Sequence, residues 1–127
     1  MVEIKEYLQY REEEILPLYA AVGWTAYTER PEALRRGFER SLLKLAAYED
    51  RAVGDGETIV FVQDILVYPA QQRKGIGSAL LRELLKRFAS VRQIELMTDN
   101  TPKTLAFYHS MGFQELSELG CCGFMRI

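Results

Sequence analysis

The order of apolar patterns along the chain predicts an α/β fold of the α+β class, with a central sheet flanked by about four helices. Three observations carry that prediction. Residues 58–68 (TIVFVQDILVY) are β-branched and aromatic, and both alternating faces are mostly apolar, as in a central strand covered on both sides. Residues 78–89 (SALLRELLKRFA) place Ala79, Leu80, Leu84 and Phe88 along one helical stripe. Between them lies a short glycine-containing turn, Gln72-Arg73-Lys74-Gly75-Ile76-Gly77. The chain has 127 residues, 48% of them hydrophobic, which is enough for one domain over 1–127 with a substantial core.

The remaining elements follow in order. Residues 2–7 read as a short first strand. Residues 12–22 read as a helix, with Ile15, Leu18, Tyr19 and Val22 at helical spacing and Gly23 as its stop. A second helix runs over 31–42, opened by Pro31 and with Leu34, Phe38 and Leu42 on one face. Residues 43–48 read as a strand, and 49–56 (EDRAVGDG) as turn-like, with Gly54-Asp55-Gly56 at the tip. Residues 93–98 form another strand. Asp99-Asn100-Thr101-Pro102 opens a helix ending at Met111-Gly112, where Gly112 can take the left-handed cap. Residues 113–116 and 123–127 read as the last strands.

Composition narrows the function. A net charge of −2 argues against a dedicated nucleic-acid binder, and the Arg35-Arg36 and Arg73-Lys74 pairs are short. No apolar run is long enough to span a bilayer, and the N-terminus lacks a signal-peptide pattern. The two cysteines, Cys121 and Cys122, are adjacent, so neither a bridge between them nor a metal site is expected. A cytoplasmic protein with reduced thiols is the expectation.

The turn carries the chemistry. The first N–H groups of a helix lack intrahelical partners and the helix dipole favours negative charge there, so a glycine turn feeding a helix is suited to an anion. Gly75 and Gly77 let a diphosphate approach the backbone, and Gln72, Arg73 and Lys74 add donors and charge. No Gly-Lys-Ser/Thr follows, so this is not a P-loop. No third glycine follows Gly77 and no acidic residue stands at a strand end about 20 residues on, so it is not a dinucleotide fingerprint. An ordinary strand-to-helix turn with solvated basic residues is the alternative. Simple alternation puts Ile59, Phe61, Ile65 and Val67 on one face of the central strand and Val60, Val62, Leu66 and Asp64 on the other. A carboxylate there is costly unless paired or at a cavity. Asp64 is thus either a structural acid or a functional carboxylate at the floor of a cleft.

The order of central strand, Q-x-x-G-x-G, amphipathic helix, strand, and a helix carrying Ala106-Phe107-Tyr108 through Gly112-Phe113 resembles the GNAT superfamily of acetyl-CoA-dependent N-acetyltransferases. The likeness spans about 58–113 well and the first half loosely. It implies a mixed, mostly antiparallel twisted sheet in which a splayed strand pair forms the CoA slot. Residues 1–57 would then lie on the acceptor side and 58–113 would form the acetyl-CoA-binding core. The segment Val62-Gln63-Asp64-Ile65-Leu66-Val67 also resembles the strand of glucosamine-phosphate acetyltransferases, although Gln63 stands where those tend to have a second acid. The resemblance further calls for a β-hairpin before the central strand, and 48–53 leave almost no room for its second strand. Either the sheet is abbreviated or turn residues are absent from the sequence; a true shortening would loosen the N-terminal half or favour strand exchange between subunits.

The resemblance also implies roles. The amides of Arg73, Lys74, Gly75, Ile76, Gly77 and Ser78, with Gln72, would hold the CoA pyrophosphate. Ile65, Leu66 and Val67 would pair with the pantetheine arm, one of their amides polarising the thioester carbonyl. The amine would attack directly in a ternary complex, without a covalent enzyme intermediate or a metal. Tyr108 would protonate the departing thiolate, whereas its own pattern, a stripe shared with Leu105 and Met111, favours a core tyrosine. Asp64 would accept the ammonium proton through water, or hold the amine. Asn100 would lie near CoA or cap the helix with Thr101, and Lys103 would reach a CoA phosphate or water. His109, about 100° around the helix from Tyr108, reads as a surface residue.

The acceptor side would be built by the first two helices, where Tyr19, Trp24, Tyr27 and Tyr48 supply rings for a cation or for the core. A small-molecule amine is the expected partner, with neither nucleic acid nor membrane; family members often dimerise, which leaves a homodimer open. Two alternatives stand beside it: a protein or aminoacyl N-acetyltransferase, and a non-catalytic CoA-binding module.

Overall fold

The computed structural model describes residues 4–41, 43–46 and 49–127. The chain forms two compact units, 1–97 and 98–127.

The first unit is built on a five-stranded sheet in the order β1-β2-β3-β4-β5. Its strands are β1 (Lys5–Glu6), β2 (Leu43–Ala46), β3 (Glu49–Gly54), β4 (Ile59–Leu66) and β5 (Gln93–Leu96). The first four are antiparallel in sequence, while β4 and β5 are parallel, so the sheet is mixed and mostly antiparallel as expected. Its helices are α1 (Glu12–Ala21), α2 (Thr25–Thr28), α3 (Pro31–Glu39) and α4 (Ile76–Arg87). Helix α1 contains Pro17, a residue that costs about 3 kcal/mol in a helix interior. Burial of Ile15, Leu18 and Tyr19, at about 1.5–3 kcal/mol for each large apolar side chain, outweighs it.

β3 corrects the turn reading of 49–56. Its Glu-Asp-Arg start has weak strand propensity, but it is laddered on both sides: Leu43, Lys44 and Leu45 pair with Ala52, Arg51 and Asp50, and Glu49 pairs with Leu66 on β4. Two partner strands override a local preference that spans only about 1 kcal/mol. The hairpin before the central strand is therefore present, and the sheet is not abbreviated there. Residues 2–3, 42 and 47–48, which the first-strand, second-helix and β2 readings included, lie outside the described residues.

The β3–β4 tip is tightly specified. The Asp55 carboxylate accepts from the N–H groups of Glu57, Thr58 and Ile59 and from the Thr58 hydroxyl. That hydroxyl first, then the three amides, hold its pKa well below the usual carboxylate range. Gly54, at φ 147°, crosses so close to β4 that an added Cβ would collide with the carbonyl oxygen of Ile59. Gly54→Ala should lower stability by about 1–3 kcal/mol, read as a drop in the urea midpoint. An unchanged midpoint would show that the tip can relax. Gly75→Ala is milder, since its Cβ would enter open space and only the φ of 80° opposes it.

β4 carries the main departure from simple alternation. Arg51 pairs with Asp64 but the next residue, Ala52, pairs with Val62, so Gln63 is an extra residue, a β-bulge. Val60 and Val62, before it, pack with Ala52 and with Ile76, Leu80 and Leu84 of α4; Val67 and the half-buried Ile65 join them. Leu66, after it, packs with Ile15, Leu18 and Tyr19 of α1 and Leu34 and Phe38 of α3. The facing expected from alternation is thus inverted past Gln63. Val60, Val62, Ile65 and Val67 share one side; Gln63, Asp64 and Leu66 share the other.

The second unit holds α5 (Pro102–Ser110). Pro102 opens it, and Thr101 caps it by accepting from the Thr104 N–H at 3.3 Å. At its end Gly112 is left-handed (φ 89°) and the Phe113 N–H reaches the Tyr108 carbonyl at 3.0 Å, as expected for a glycine cap. The two strands expected at 113–116 and 123–127 are not formed. Leu116–Leu119 is a 3₁₀ turn closed by the Cys121 N–H on the Leu116 carbonyl (2.8 Å), and 121–127 has no regular structure. A short apolar run becomes a strand only where a neighbour offers a ladder.

Candidate active site

The loop after β4 departs most from ordinary backbone. A 3₁₀ turn (Pro69–Gln71) leads into Gln72, then Arg73 at φ 63°, Lys74, and Gly75 at φ 80° as the residue before α4. Arg73 is the one non-glycine residue with positive φ among the described residues. A side chain held there costs about 1–3 kcal/mol and marks a place where backbone direction matters more than comfort. Left-handed residues beside right-handed ones turn successive N–H groups towards one concavity, the form that receives anions. The Gln72 amide fixes the loop by donating to the Val67 carbonyl at 3.1 Å, and Lys74 donates to Gln71 Oε1 at 3.2 Å.

Helix α4 adds its own amides. Ile76, Gly77 and Ser78 form its first turn, which holds no acidic side chain, whereas α1 places Glu12, Glu13 and Glu14 in its first turn. The α4 first turn therefore sets no carboxylate of its own against the positive end of the helix. Arg73, Lys74 and Gly75 are exposed, and Ile76 is buried and anchors the turn in the core.

Directly before this loop, β4 has no ladder partner on its β5 side among the described residues. Its parallel pairing with β5 runs from Ile59 with Gln93 to Val62 with Leu96 and stops there, while its pairing with β3 continues to Leu66. Ile65, Leu66 and Val67 thus lie beyond the last rung shared with β5, where an extended chain can add as a strand. The Val67 carbonyl is occupied by Gln72.

The bulge presents two consecutive polar residues to the helical side. Asp64, 2% exposed, accepts from the Tyr19 hydroxyl at 2.6 Å. Gln63 Nε2 lies 3.5 Å from the Tyr27 hydroxyl. Tyr19, Trp24 and Tyr27 form one aromatic group: Tyr19 meets Trp24 edge-on at 6.1 Å and lies tilted against Tyr27 at 5.2 Å, and Trp24 stacks on Tyr27 at 5.9 Å. Beside them is a cavity of about 430 Å³ lined by Ala26, Tyr27 and Arg30, by Ala33, Leu34 and Gly37, and by Val53 and Gln63. Sequence reading found the rings but missed Arg30, Ala33 and Gly37; their i, i+3, i+7 spacing was the available signal. Tyr48 lies outside the described residues.

In the second unit, Tyr108 is half-buried, edge-on to Phe107 (5.0 Å) and Phe113 (5.9 Å). Asn100 and Lys103 are exposed, and Thr101, not Asn100, caps α5. His109 is exposed, 3.2 Å from Glu118. Cys121 and Cys122 are exposed free thiols. Among the described residues no helix is long and apolar enough to cross a membrane.

A central strand with an unpaired end, a left-handed loop and a helix whose first turn holds no acid define an α/β fold with a place suited to an anion. Residues 41–115 match the model of the acetyltransferase (GNAT) domain, and the chain belongs to that family of acetyltransferase enzymes, whose co-substrate is acetyl-CoA. A GNAT-family acetyltransferase from Streptococcus pneumoniae is 40% identical over 100% of this chain and 98% of its own, with a TM-score of 0.87. A Staphylococcus aureus protein of unknown function, 22% identical over 100% of this chain and 98% of its own with a TM-score of 0.79, shares the fold. Glucosamine 6-phosphate N-acetyltransferase of Trypanosoma brucei brucei is 29% identical over 59 residues, 46% of this chain and 40% of that protein. The match thus spans well under half of that curated relative.

Proposed function

We propose that the chain moves the acetyl group of acetyl-CoA to a primary amine of a small molecule, by direct attack in a ternary complex. The observation that carries this reading is the left-handed Arg73–Gly75 loop, feeding a helix terminus free of acids immediately after the open edge of β4. The donor set fits a diphosphate: backbone amides of Arg73 to Ser78, flanked by two cationic side chains. When bound, acetyl-CoA supplies an activated acyl group and a thiolate leaving group.

The chain's own groups then do three things. Ile65, Leu66 and Val67 receive the extended arm, and an amide among them donates to the thioester oxygen. Asp64 takes the ammonium proton, through water or the Tyr19 hydroxyl that it already holds. Tyr108 Oη gives a proton to the sulfur as the N–C bond forms and the C–S bond breaks, and the second proton, released by the nitrogen as it becomes an amide, restores the phenol. Asn100 and Lys103 assist at the CoA phosphates. Residues 1–57 serve the acceptor and 58–113 the co-substrate; the groove beside Tyr27 and Gln63 is the acceptor's place.

Calorimetric titration with acetyl-CoA, with 3′,5′-ADP as a fragment control, tests the reading. Micromolar binding is expected, followed by thiol release with a panel of amines. Well-folded protein that does not bind would overturn it, and binding without turnover would make the chain a CoA-binding module. Asp64→Asn should keep the fold, since Asn can still accept from Tyr19, and should lower kcat by about tenfold or more with little change in acetyl-CoA affinity. An unaltered kcat would leave Asp64 as a tether between β4 and α1.

A further inference from the structure

The groove beside α3 has a chemical bias. Arg30, Ala33, Leu34 and Gly37 fall on one stripe of the α2–α3 segment, facing Val53 and Gln63 of β3 and β4. The groove exists because Ala33 and Gly37 are small, and larger residues at either position would fill it. Among the described residues its polar lining is Tyr27, Gln63 and Arg30, with no acidic side chain. Arg30 is exposed at the rim. Arg11, Arg35 and Arg87 each pair with a glutamate, while no carboxylate pairs with Arg30 among the described residues.

We infer that the acceptor carries an anionic group, a carboxylate or phosphate, which Arg30 reads while the amine points towards Gln63 and Asp64. This rests on the acetyltransferase reading above and adds the substrate class to it. A guanidinium offers a planar fork of donors that matches carboxylate and phosphate alike, and a charge-assisted pair is roughly twice as strong as a neutral hydrogen bond. An amine held by cation–π contact alone would want an acid in the lining; this lining has a cation instead. The groove's volume suits a molecule the size of an amino acid or a phosphorylated amino sugar.

The test is a binding titration followed by amide NMR, with the phosphate loop kept saturated by CoA so that anionic probes cannot seat there. Two matched pairs serve as probes: glucosamine 6-phosphate against glucosamine, and 4-aminobutyrate against 4-aminobutyramide. In at least one pair the anionic member should bind about tenfold or more tightly than its neutral partner, shifting the amides of Tyr27, Ala33, Gly37 and Gln63. Preference in the phosphate pair alone assigns a phosphate, and in the other pair alone a carboxylate. Arg30→Gln should remove the preference and Arg30→Lys should retain part of it; Ala33→Phe should abolish binding of both members by filling the groove. Equal affinities within both pairs, a preference that survives Arg30→Gln, or no groove binding by any probe would overturn the inference. A parallel acetyl-CoA titration separates the two failures: absent co-substrate binding defeats the enzyme reading, whereas intact binding with no anion preference defeats only the role of Arg30.

Discussion

Gly77→Asp should reduce acetyl-CoA affinity by at least about a hundredfold while leaving the fold intact. Gly77 is the second residue of α4, on the turn whose amides we assign to the diphosphate. A carboxylate there meets two phosphate charges at close range, and like-charge juxtaposition costs several kcal/mol; a hundredfold needs only about 2.7. The same carboxylate is favourable for the isolated protein, because a negative charge in a first helical turn is worth about 0.3–1 kcal/mol. Binding and stability should therefore move in opposite directions, a result that general damage cannot imitate. Calorimetry and a thermal melt on the same sample read both. Unchanged affinity would remove the loop from the site.

Tyr108→Phe should lower kcat by about a hundredfold or more and leave the acetyl-CoA Kd almost unchanged, the range expected when one positioned proton donor is lost. The ring is retained, so the edge-on contacts with Phe107 and Phe113 survive and α5 keeps its packing. A phenol and a thiol, with ordinary pKa values of about 10 and about 8.5, are close enough for transfer to be efficient. If turnover persists undiminished, another group or water protonates the sulfur, and Tyr108 is a packing residue.

Much of this was legible in the sequence, and the reason differs by element. The α4 stripe and the β4 run were clear because they bury continuous apolar faces, a property of the residues themselves. Leu80 and Leu84 of that stripe are fully buried, and so is Leu81 beside it. The turn between β4 and α4 was legible because glycines between two apolar runs mark a break; what composition could not show is that Arg73, a residue with a side chain, takes the left-handed backbone. β3 was misread because its charged start speaks against a strand, and only its pairing on both edges makes it one. The terminal strands failed in the opposite sense: Phe113 to Leu116 has the composition, but the Phe113 N–H closes the α5 cap on the Tyr108 carbonyl and Leu116 opens a 3₁₀ turn. Arg30 went unnoticed because its meaning depends on what it lacks, a carboxylate partner, which sequence does not reveal.

The extra residue at Gln63 also governs what kinds of change the chain can survive. Replacing Gln63 alters one side chain, and every other residue of β4 keeps its facing. Losing it would close the bulge: Asp64 would follow Val62 directly and still sit opposite Arg51, beside the Ala52–Val62 pair, with Asp64 and Leu66 on one side and Ile65 and Val67 on the other. Losing Asp64 as well would put Ile65 directly after Val62 and turn Ile65 and Val67 towards α1 and α3 and Leu66 towards α4, a reversal of three side chains at once. The strand should therefore tolerate substitution or loss of Gln63 but not loss of both polar residues, so that in any set of natural or selected variants the length between Val62 and Leu66 falls by one residue at most.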